Sequence, residues 1–276
     1  MPHSVAYHNG RLYVAEEGRV TSYRYDATQV RLDDERTVVS SLPTGGRHLT
    51  RTVSFGPDGM LYVSVGSSCN ECVDLPTRAV ILRYGPNGTG AQVYARGLRN
   101  AVGLAWQGGR LWAADNGRDL LGENVPPDEI DLIRPGGNYG WPYCWDNGQS
   151  DPAIASAAGY CARTINPVVA LSAHSAALGL TFDSGSLLPA RYRGGLFVAY
   201  HGSTYRTLPT GYKVVYIPVH GTQAGPPRDL ITGWLTSSVS YTFWGRPVGV
   251  LVAADGSLLV SDDDAGVIYR LAPLGR

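Results

Sequence analysis

The chain has little charge and no excess of either sign. Its 276 residues include 23 Lys+Arg and 23 Asp+Glu, and charged residues make up only 17% of the total. With no net positive field and no basic run, we expect no nucleic-acid partner. Hydrophobic residues reach 43%, so the low charge does not indicate disorder, and there is enough apolar material for a core.

Long apolar runs are also missing. No stretch approaches the roughly 20 residues that a membrane-spanning helix needs, so we expect no membrane span. The first ten residues, MPHSVAYHNG, lack the basic and apolar regions of a signal peptide. They therefore give no direct sign of export.

Cysteine is scarce, with four residues at Cys69, Cys72, Cys144 and Cys161. A structural zinc site usually has two closely spaced pairs, and only the first two cysteines are close in sequence. The spacing favours two local disulfides, and zinc binding or free thiols are the alternatives. Disulfides would indicate an oxidising compartment.

Glycine and tyrosine are abundant, at 35 and 17 residues, and a pattern of short apolar strands around glycine turns recurs along the chain. The turn glycines are Gly10, Gly59, Gly109, Gly195 and Gly256, which lie 49, 50, 86 and 61 residues apart. Asn-Gly and Asp-Gly between such strands predict type I′ hairpins, because these residues accept a positive φ. Repeats of roughly 40 to 50 residues with about four strands are typical of propeller blades.

We therefore predict an all-β fold, a β-propeller of four-stranded blades with five repeats visible. Residues 1–276 are expected to form one domain. The long third interval, around 120–170, is rich in proline and contains a Cys pair, so we interpret it as a braced loop insertion.

Basic residues recur at one place in the repeats, just before the first strand. His48 lies there between Arg47 and Arg51, Arg99-Asn100 precedes the third repeat, and Arg246 precedes the last. In a propeller this position points toward the central axis, where a His could act as a base and the arginines could bind a multi-carboxylate cofactor. The alternative is a set of solvated charges at blade entrances.

Oxygen-bearing side chains cluster after the second strand of the third repeat, in Ala114–Asp119 and then in Asp128, Glu129 and Asp131. Carboxylates with Asn and Gly in an irregular loop suit Ca²⁺. The spacing is not that of an EF-hand, so an ordinary polar turn is an equal alternative.

Several segments together resemble the soluble pyrroloquinoline quinone (PQQ) dependent aldose and sorbosone dehydrogenases. They are RHLTRTVSFGPDGMLYVSVGSSCNEC, ARGLRNAVGLAW, ADNGRDLLGENVPPDEIDLIRPGGNYGWPYC, HSAALGLTF with YRGGLFVAYHGS, GYKVV and RPVGVLVAADGSLLVSDD. They cover nearly the whole chain in the family's order. The resemblance implies an enzyme that oxidises an aldose or related sugar at C1 with PQQ and Ca²⁺ and passes electrons to an external acceptor.

The resemblance also implies roles for individual residues. His48 matches the general base, and Arg51 matches a position beside cofactor and substrate. Arg99 and Asn100 match residues around PQQ, and Arg246 matches an arginine that contacts a PQQ carboxylate.

Further matches concern the metal and the cysteines. Gly117 and Arg118 match the pair whose backbone carbonyls bind the Ca²⁺ on the quinone, and Lys213 is a looser match to a cofactor-contacting lysine. Both cysteine pairs match disulfides of the sorbosone-type branch. A periplasmic or secreted location is the corresponding expectation.

Two departures from the family pattern stand out. The family has six blades, and five repeats are visible, so either the propeller closes with fewer blades or an N-terminal blade is absent. The family's HGSWNR reads HGSTYR here, with Thr204 replacing an aromatic residue. A Ca²⁺-dependent propeller lactonase and a non-catalytic sugar- or protein-binding propeller are the competing functional hypotheses.

Overall fold

A computed structural model describes residues 1–185, 187–203 and 205–273. Helix accounts for only 2% of the chain and strand for 45%, and the described strands form the five small sheets of a β-propeller and three two-stranded hairpins. This confirms the predicted fold class. Thr204, the residue in the place of the family aromatic, lies outside the described residues.

Each of the first two blades is built on four antiparallel strands that follow the chain in order. Blade 1 contains β1 (Pro2–His8), β2 (Arg11–Glu16), β3 (Arg19–Asp26) and β4 (Arg31–Val39). Blade 2 contains β5 (Arg51–Phe55), β6 (Leu61–Val65), β7 (Val80–Tyr84) and β8 (Gln92–Arg96).

The third blade is completed by a strand from beyond the insertion. It contains β9 (Ala101–Gln107), β10 (Arg110–Asp115), β11 (Glu129–Ile133) and, much later, β15 (Val169–Ala170). The insertion holds β12 (Gly137–Asn138), the hairpin of β13 (Cys144–Trp145) and β14 (Gln149–Ser150), and a 3-10 helix at Cys161–Arg163. Because β12 pairs in parallel with β8, the insertion adds a fifth strand to blade 2.

The last two blades differ in size. Blade 4 contains β16 (Ala177–Phe182), β17 (Leu196–Tyr200), β18 (Lys213–Ile217) and β21 (Arg228–Ile231), with a 3-10 helix at Ala190–Tyr192 and the hairpin of β19 (Val219–His220) and β20 (Gln223–Ala224). After a hairpin of β22 (Leu235–Ser237) and β23 (Thr242–Phe243), blade 5 contains β24 (Pro247–Val252), β25 (Leu258–Asp262) and β26 (Val267–Leu271). Within the described residues blade 5 therefore has three strands, where four were predicted.

The chain divides into two compact units. Unit 1 comprises residues 1–102 and 133–165, and unit 2 comprises residues 103–132 and 166–276. The apolar side chains of β2, β5, β6 and β7 form the core of unit 1. In unit 2 one core surrounds Trp112 and Leu196, and another surrounds Phe197 and Trp234. Burial of these side chains, roughly 1.5–3 kcal/mol each, is the main source of stability.

The hairpin turns follow the glycines, but neither Asp-Gly turn, Asp58-Gly59 or Asp255-Gly256, is of type I′. Asn9 and Gly10 have φ of 47° and 78°, and Gly108 and Gly109 have φ of 56° and 76°, as type I′ turns require. At Asp58-Gly59 only the glycine has a positive φ, and Gly59 donates its backbone N–H to the carbonyl of Gly56. The Asp-Gly turn is therefore a longer loop, because its extra residues let the aspartate keep an ordinary conformation.

Both cysteine pairs form disulfides, Cys69–Cys72 and Cys144–Cys161, and no described cysteine is free. This confirms the favoured interpretation over a zinc site. The first closes a short loop after β6, and the second ties β13 to the 3-10 helix of the insertion. Among the described residues no helix is both long and apolar enough to cross a membrane.

Candidate active site

The strand bounds place the predicted basic residues at equivalent positions. His48 lies shortly before β5, Asn100 immediately before β9, and Arg246 immediately before β24. The alternation of strands and glycine turns predicts these positions, and the strand bounds agree with them. That the residues share one site stays a prediction. His48, Arg51, Arg99 and Asn100 belong to unit 1, whereas Arg246, Lys213, Gly117 and Arg118 belong to unit 2.

His48 is held through one ring nitrogen. Its Nδ1 lies 3.0 Å from the carbonyl oxygen of Ser67 and 2.8 Å from Ser67 Oγ. The Ser67 hydroxyl donates its own hydrogen to the carbonyl of Cys69, at 2.7 Å. Both atoms that face Nδ1 therefore act as acceptors, so Nδ1 carries the hydrogen of the neutral ring and Nε2 keeps its lone pair.

The surroundings of His48 keep it neutral. Burial, and then the positive charge of Arg99, lower the pKa of His48 to about 3, with smaller contributions from Arg47 and Arg51 and an opposing one from the hydrogen bond to Ser67. A neutral imidazole with an unprotonated Nε2 can accept a proton. Near neutral pH this is the form of a general base.

Gly66 brings His48 and Asn100 together. A Cβ at this position would lie 2.6 Å from Asn100 Oδ1 and 2.7 Å from His48 Cβ. The backbone N–H of Ser67, the next residue, donates to the carbonyl of Arg99 at 2.8 Å. The loop after β6 thus holds the residues that precede β5 and β9 in one cluster.

Arg99 is almost fully buried and is held by the disulfide loop. Its Nε donates to the Asn70 carbonyl at 3.0 Å, and its Nη2 donates to Asn70 Oδ1 at 2.7 Å. The indole N–H of Trp141 shares the Asn70 carbonyl at 3.4 Å. The Cys69–Cys72 bridge flanks Asn70, so it fixes the acceptor that orients Arg99.

Arg51 is fully buried and serves the backbone. Its Nη1 donates to the carbonyls of His48 and Thr50 at 3.0 and 2.7 Å, and its Nη2 donates to the carbonyl of Pro43 at 2.6 Å. Burial and the nearby Arg78 lower its pKa to about 10. These contacts clamp the segment that carries His48.

In unit 2 the predicted calcium loop is organised by Asp128. This buried carboxylate accepts hydrogen bonds from the Gly117 backbone N–H at 3.0 Å, from Ser175 Oγ at 3.1 Å and from the Ala177 N–H at 3.3 Å. Burial raises its pKa, while these hydrogen bonds oppose the shift. A Cβ on Gly117 would lie 2.5 Å from the carbonyl oxygen of Pro127, so only glycine fits there.

The oxygens available to a metal in this loop come mainly from the backbone. Asp128 already accepts three hydrogen bonds, and no three acidic or histidine side chains of the loop converge among the described residues. His174 uses its Nε2 to donate to the Gly122 carbonyl at 2.7 Å. The prediction that the carbonyls of Gly117 and Arg118 bind a cation stays a prediction.

Arg246 sits between strand ends of unit 2. Its Nε donates to the His201 carbonyl at 3.2 Å and its Nη2 to the Gly202 carbonyl at 2.9 Å, while the guanidinium lies 5.6 Å from the Tyr212 ring centroid. No ion pair neutralises it among the residues that the structure describes. Half-buried and positively charged, it suits a carboxylate ligand.

Lys213 is already engaged. Its Nζ lies 2.6 Å from Asp229 Oδ1 on the neighbouring strand β21. The structure therefore brings Lys213 to a carboxylate of its own sheet, and its predicted contact with a cofactor stays a prediction.

The sequence interpretation missed three members of the unit 1 cluster: Gly66, Ser67 and Asn70. The signal was the segment SVGSSCNEC directly after an alternating strand, which was interpreted only for its cysteines. Ser67 contacts His48 through its backbone carbonyl as well as its hydroxyl. A contact made by a backbone carbonyl cannot be predicted from the residue type.

A family model described as TrAA12-like matches residues 1–273. The chain belongs to the TrAA12-like family. An uncharacterized protein of Borreliella burgdorferi is 33% identical and aligns with 76% of this chain and 56% of its own length. A PQQ-dependent pyranose dehydrogenase of Coprinopsis cinerea is 26% identical over 97% of this chain and 45% of its own. The chain spans about half the length of these relatives.

Two solved structures have a fold similar to that of this chain. The calcium structure of a Trichoderma reesei enzyme of Carbohydrate-Active Enzymes Family AA12 superposes with a TM-score of 0.83 at 24% identity, covering 97% of this chain and 80% of that one. The PQQ-bound aldose sugar dehydrogenase of Streptomyces coelicolor gives a TM-score of 0.65 at 26% identity, covering 93% and 71%. At these identities the first likeness shows the fold alone.

Proposed function

We propose that this TrAA12-like chain is a quinoprotein that oxidises an aldose or related sugar at C1. The observation that carries the proposal is the His48 imidazole, whose Nδ1 is committed to Ser67 and whose Nε2 keeps its lone pair. The names of the C. cinerea and S. coelicolor relatives, both PQQ-dependent or PQQ-bound sugar dehydrogenases, support the same chemistry.

The proposed reaction separates a proton from a hydride. His48 Nε2 accepts the proton of the C1 hydroxyl as the C1 hydrogen leaves with its electron pair. PQQ, if bound, would supply the two-electron acceptor for that hydride, with an external acceptor as the final recipient of the electrons, and a Ca²⁺ ion would supply a Lewis acid. Nearby Arg99 and Arg47 disfavour protonation of His48 before substrate binds.

The other residues bind or position. Arg246, with no carboxylate partner of its own among the described residues, is proposed to pair with a PQQ carboxylate, and Asn100 to donate a side-chain hydrogen bond in the cluster of His48. Gly117 and Arg118 are proposed to offer carbonyls to Ca²⁺. Arg51, fully buried against three backbone carbonyls, is proposed as a positioning residue that holds His48 in place.

The location is proposed from redox chemistry. Two disulfides in one domain-sized chain persist in oxidising surroundings. We propose a periplasmic or secreted protein. To test this, cells are lysed under conditions that prevent thiol oxidation, and alkylation then reports which cysteines are free thiols. Recovery of all four cysteines as free thiols would contradict the proposal.

One titration tests the function. The purified chain is titrated with PQQ in the presence of Ca²⁺, and cofactor absorbance is followed together with sugar-dependent dye reduction. Uptake with aldose-dependent reduction is the expected result. Absence of uptake would overturn it in favour of a binding module, and hydrolysis of a lactone panel without quinone would overturn it in favour of a lactonase.

The His48→Gln variant sharpens the test. Glutamine keeps a polar side chain of similar reach but cannot accept the proton, so turnover is expected to fall roughly 10²–10⁴-fold while PQQ affinity changes little. Arg36→Gln, an exposed arginine of β4, is the matched control and keeps full turnover. Unchanged turnover in His48→Gln would remove His48 from the mechanism.

A further inference from the structure

Unit 1 contains a cavity of about 460 Å³ in the insertion, built from three separate segments. Arg96 comes from the end of β8, Arg134 from the loop before β12, and Arg163 from the 3-10 helix. The volume is within the range of small-molecule sites, roughly 300–1,000 Å³. None of the residues proposed for catalysis or cofactor binding lines it.

The backbone holds these three segments firmly around the cavity. Strand β12 pairs with β8, and the Gly136 N–H donates to the Tyr94 carbonyl at 2.7 Å. The Gly137 N–H closes a turn onto the Arg134 carbonyl at 3.0 Å. The Cys144–Cys161 disulfide anchors the first residue of the 3-10 helix that ends in Arg163.

The charge in this cavity is of one sign. Its lining includes three arginines and no carboxylate, and no ion pair joins any of the three to an acidic residue within 1–185, 187–203 and 205–273. The three arginines are solvent-exposed, and each guanidinium carries a planar fork of N–H donors that matches an oxyanion.

A hydroxyl completes the donor set. Asn138 Nδ2 donates to Tyr160 Oη at 2.9 Å, while Asn138 Oδ1 accepts from the Gly140 N–H at 3.3 Å. Tyr160 Oη is thus an acceptor toward Asn138, and its own hydrogen is left to point toward a ligand. Both side chains line the cavity.

We propose that this cavity is a second binding site, for a small molecule that carries a phosphate, sulfate or carboxylate group. Arg96, Arg134 and Arg163 pair with the oxyanion, and the Tyr160 hydroxyl donates to it. The ligand is either a free inorganic anion or an acidic saccharide, since the volume accommodates a monosaccharide. The site stands apart from the proposed oxidation chemistry and does not depend on it.

Calorimetry on the chain without cofactor tests the proposal. Inorganic phosphate, glucose 6-phosphate and glucose are titrated at low ionic strength. Phosphate or glucose 6-phosphate is expected to bind saturably, and glucose is not. Tighter binding of glucose 6-phosphate than of phosphate identifies an acidic saccharide as the ligand, and equal binding identifies the free anion.

Two variants and a control assign the binding to the cavity. Arg134→Gln and Arg163→Gln are each expected to weaken binding at least tenfold, about 1.4 kcal/mol, and Arg36→Gln is expected to bind as the unmodified chain does. Absence of saturable heat for both anions, or equal affinity in all three variants, overturns the proposal.

A second measurement needs no variant. Phenylglyoxal modifies accessible arginines, and peptide mapping reports each one separately. Phosphate is expected to slow modification of Arg134 and Arg163 severalfold but not that of Arg36, which is exposed on β4. Equal slowing of all three arginines would overturn the site.

Discussion

The loop after β6 in unit 1 and the loop after β10 in unit 2 occupy the same place in their blades but are built with opposite chemistry. In the first, Ser67 offers acceptors to His48, and arginines surround the ring. In the second, the carboxylate of Asp128 receives three donors, one of them from Gly117. The loop that follows the second strand of a blade can therefore hold a neutral histidine from a neighbouring segment, as after β6. It can equally contain a buried carboxylate of its own, as after β10.

Stability separates the two loops most clearly. Asp128→Ala leaves three buried donors without an acceptor, so it is expected to lower the free energy of unfolding by roughly 3 kcal/mol. Ser67→Ala leaves the Ser67 carbonyl to hold His48, so a loss of about 1 kcal/mol is expected. Urea denaturation of both variants measures the difference, and equal losses would break the comparison.

The two glycines provide the next test. Gly117→Ala places a Cβ against a backbone carbonyl, which cannot move away alone, so a loss of stability of about 1–3 kcal/mol is expected. In Gly66→Ala the clash is with the side chains of Asn100 and His48, which can shift. We therefore expect Gly66→Ala to lower the turnover rate while the free energy of unfolding changes little. A stable Gly117→Ala, or a Gly66→Ala of normal turnover, would contradict this.

Asp131 is a useful contrast with Asp128 in unit 2. It is fully buried, and neither carboxylate oxygen has a hydrogen-bond partner among the residues that the structure describes. Burial, and then Glu129 and Asp115, raise its pKa well above the ordinary value. Above about pH 4 the unfolded chain releases the Asp131 proton, whereas the native state keeps it. The free energy of unfolding therefore falls as the pH rises from about 4 toward the raised native pKa.

Asp131→Asn removes this ionisation while preserving shape. The variant is expected to be more stable than the unmodified chain by about 1 kcal/mol at pH 7, with the difference vanishing below pH 4. Thermal unfolding at a series of pH values measures it. A destabilised variant at pH 7 would show that the Asp131 carboxylate is needed in its charged form.

The smallest effect concerns the pKa of His48. In the chain without cofactor, NMR should show a neutral imidazole down to about pH 3. Arg99→Met removes a positive charge, so the pKa should rise, yet stay below the ordinary 6.5 because burial is the larger cause. A titration near 6.5 in the unmodified chain would contradict the site described above.

The same lowered pKa affects stability. The unfolded chain protonates His48 near pH 6.5 whereas the native chain does so near 3, so the unfolded state binds more protons in that interval. The free energy of unfolding therefore decreases as pH falls from 6.5 toward 3. In His48→Gln this contribution should be absent.

Sequence reasoning located the strands, the blade entrances and both disulfides because strand alternation, turn glycines and cysteine spacing depend on local residue types. It did not show that Arg51 turns inward to backbone carbonyls, since a long side chain can reach either way. The pairing of Lys213 with Asp229 depends on the irregular register between β18 and β21. Residue types in the two strands do not allow that register to be predicted. The arginine cavity joins three segments distant in sequence.

The hydrogen bonds from His48 Nδ1 to Ser67 restrict how a proton can leave the imidazole ring. Since both neighbours of Nδ1 accept, a proton taken up at Nε2 has no relay through the far side of the ring. The proton therefore has to leave the imidazole from Nε2, the same nitrogen that accepted it. In the proposed reaction, solvent would therefore have to reach Nε2 after each turnover, so release of the oxidised sugar and deprotonation of His48 would form one ordered event.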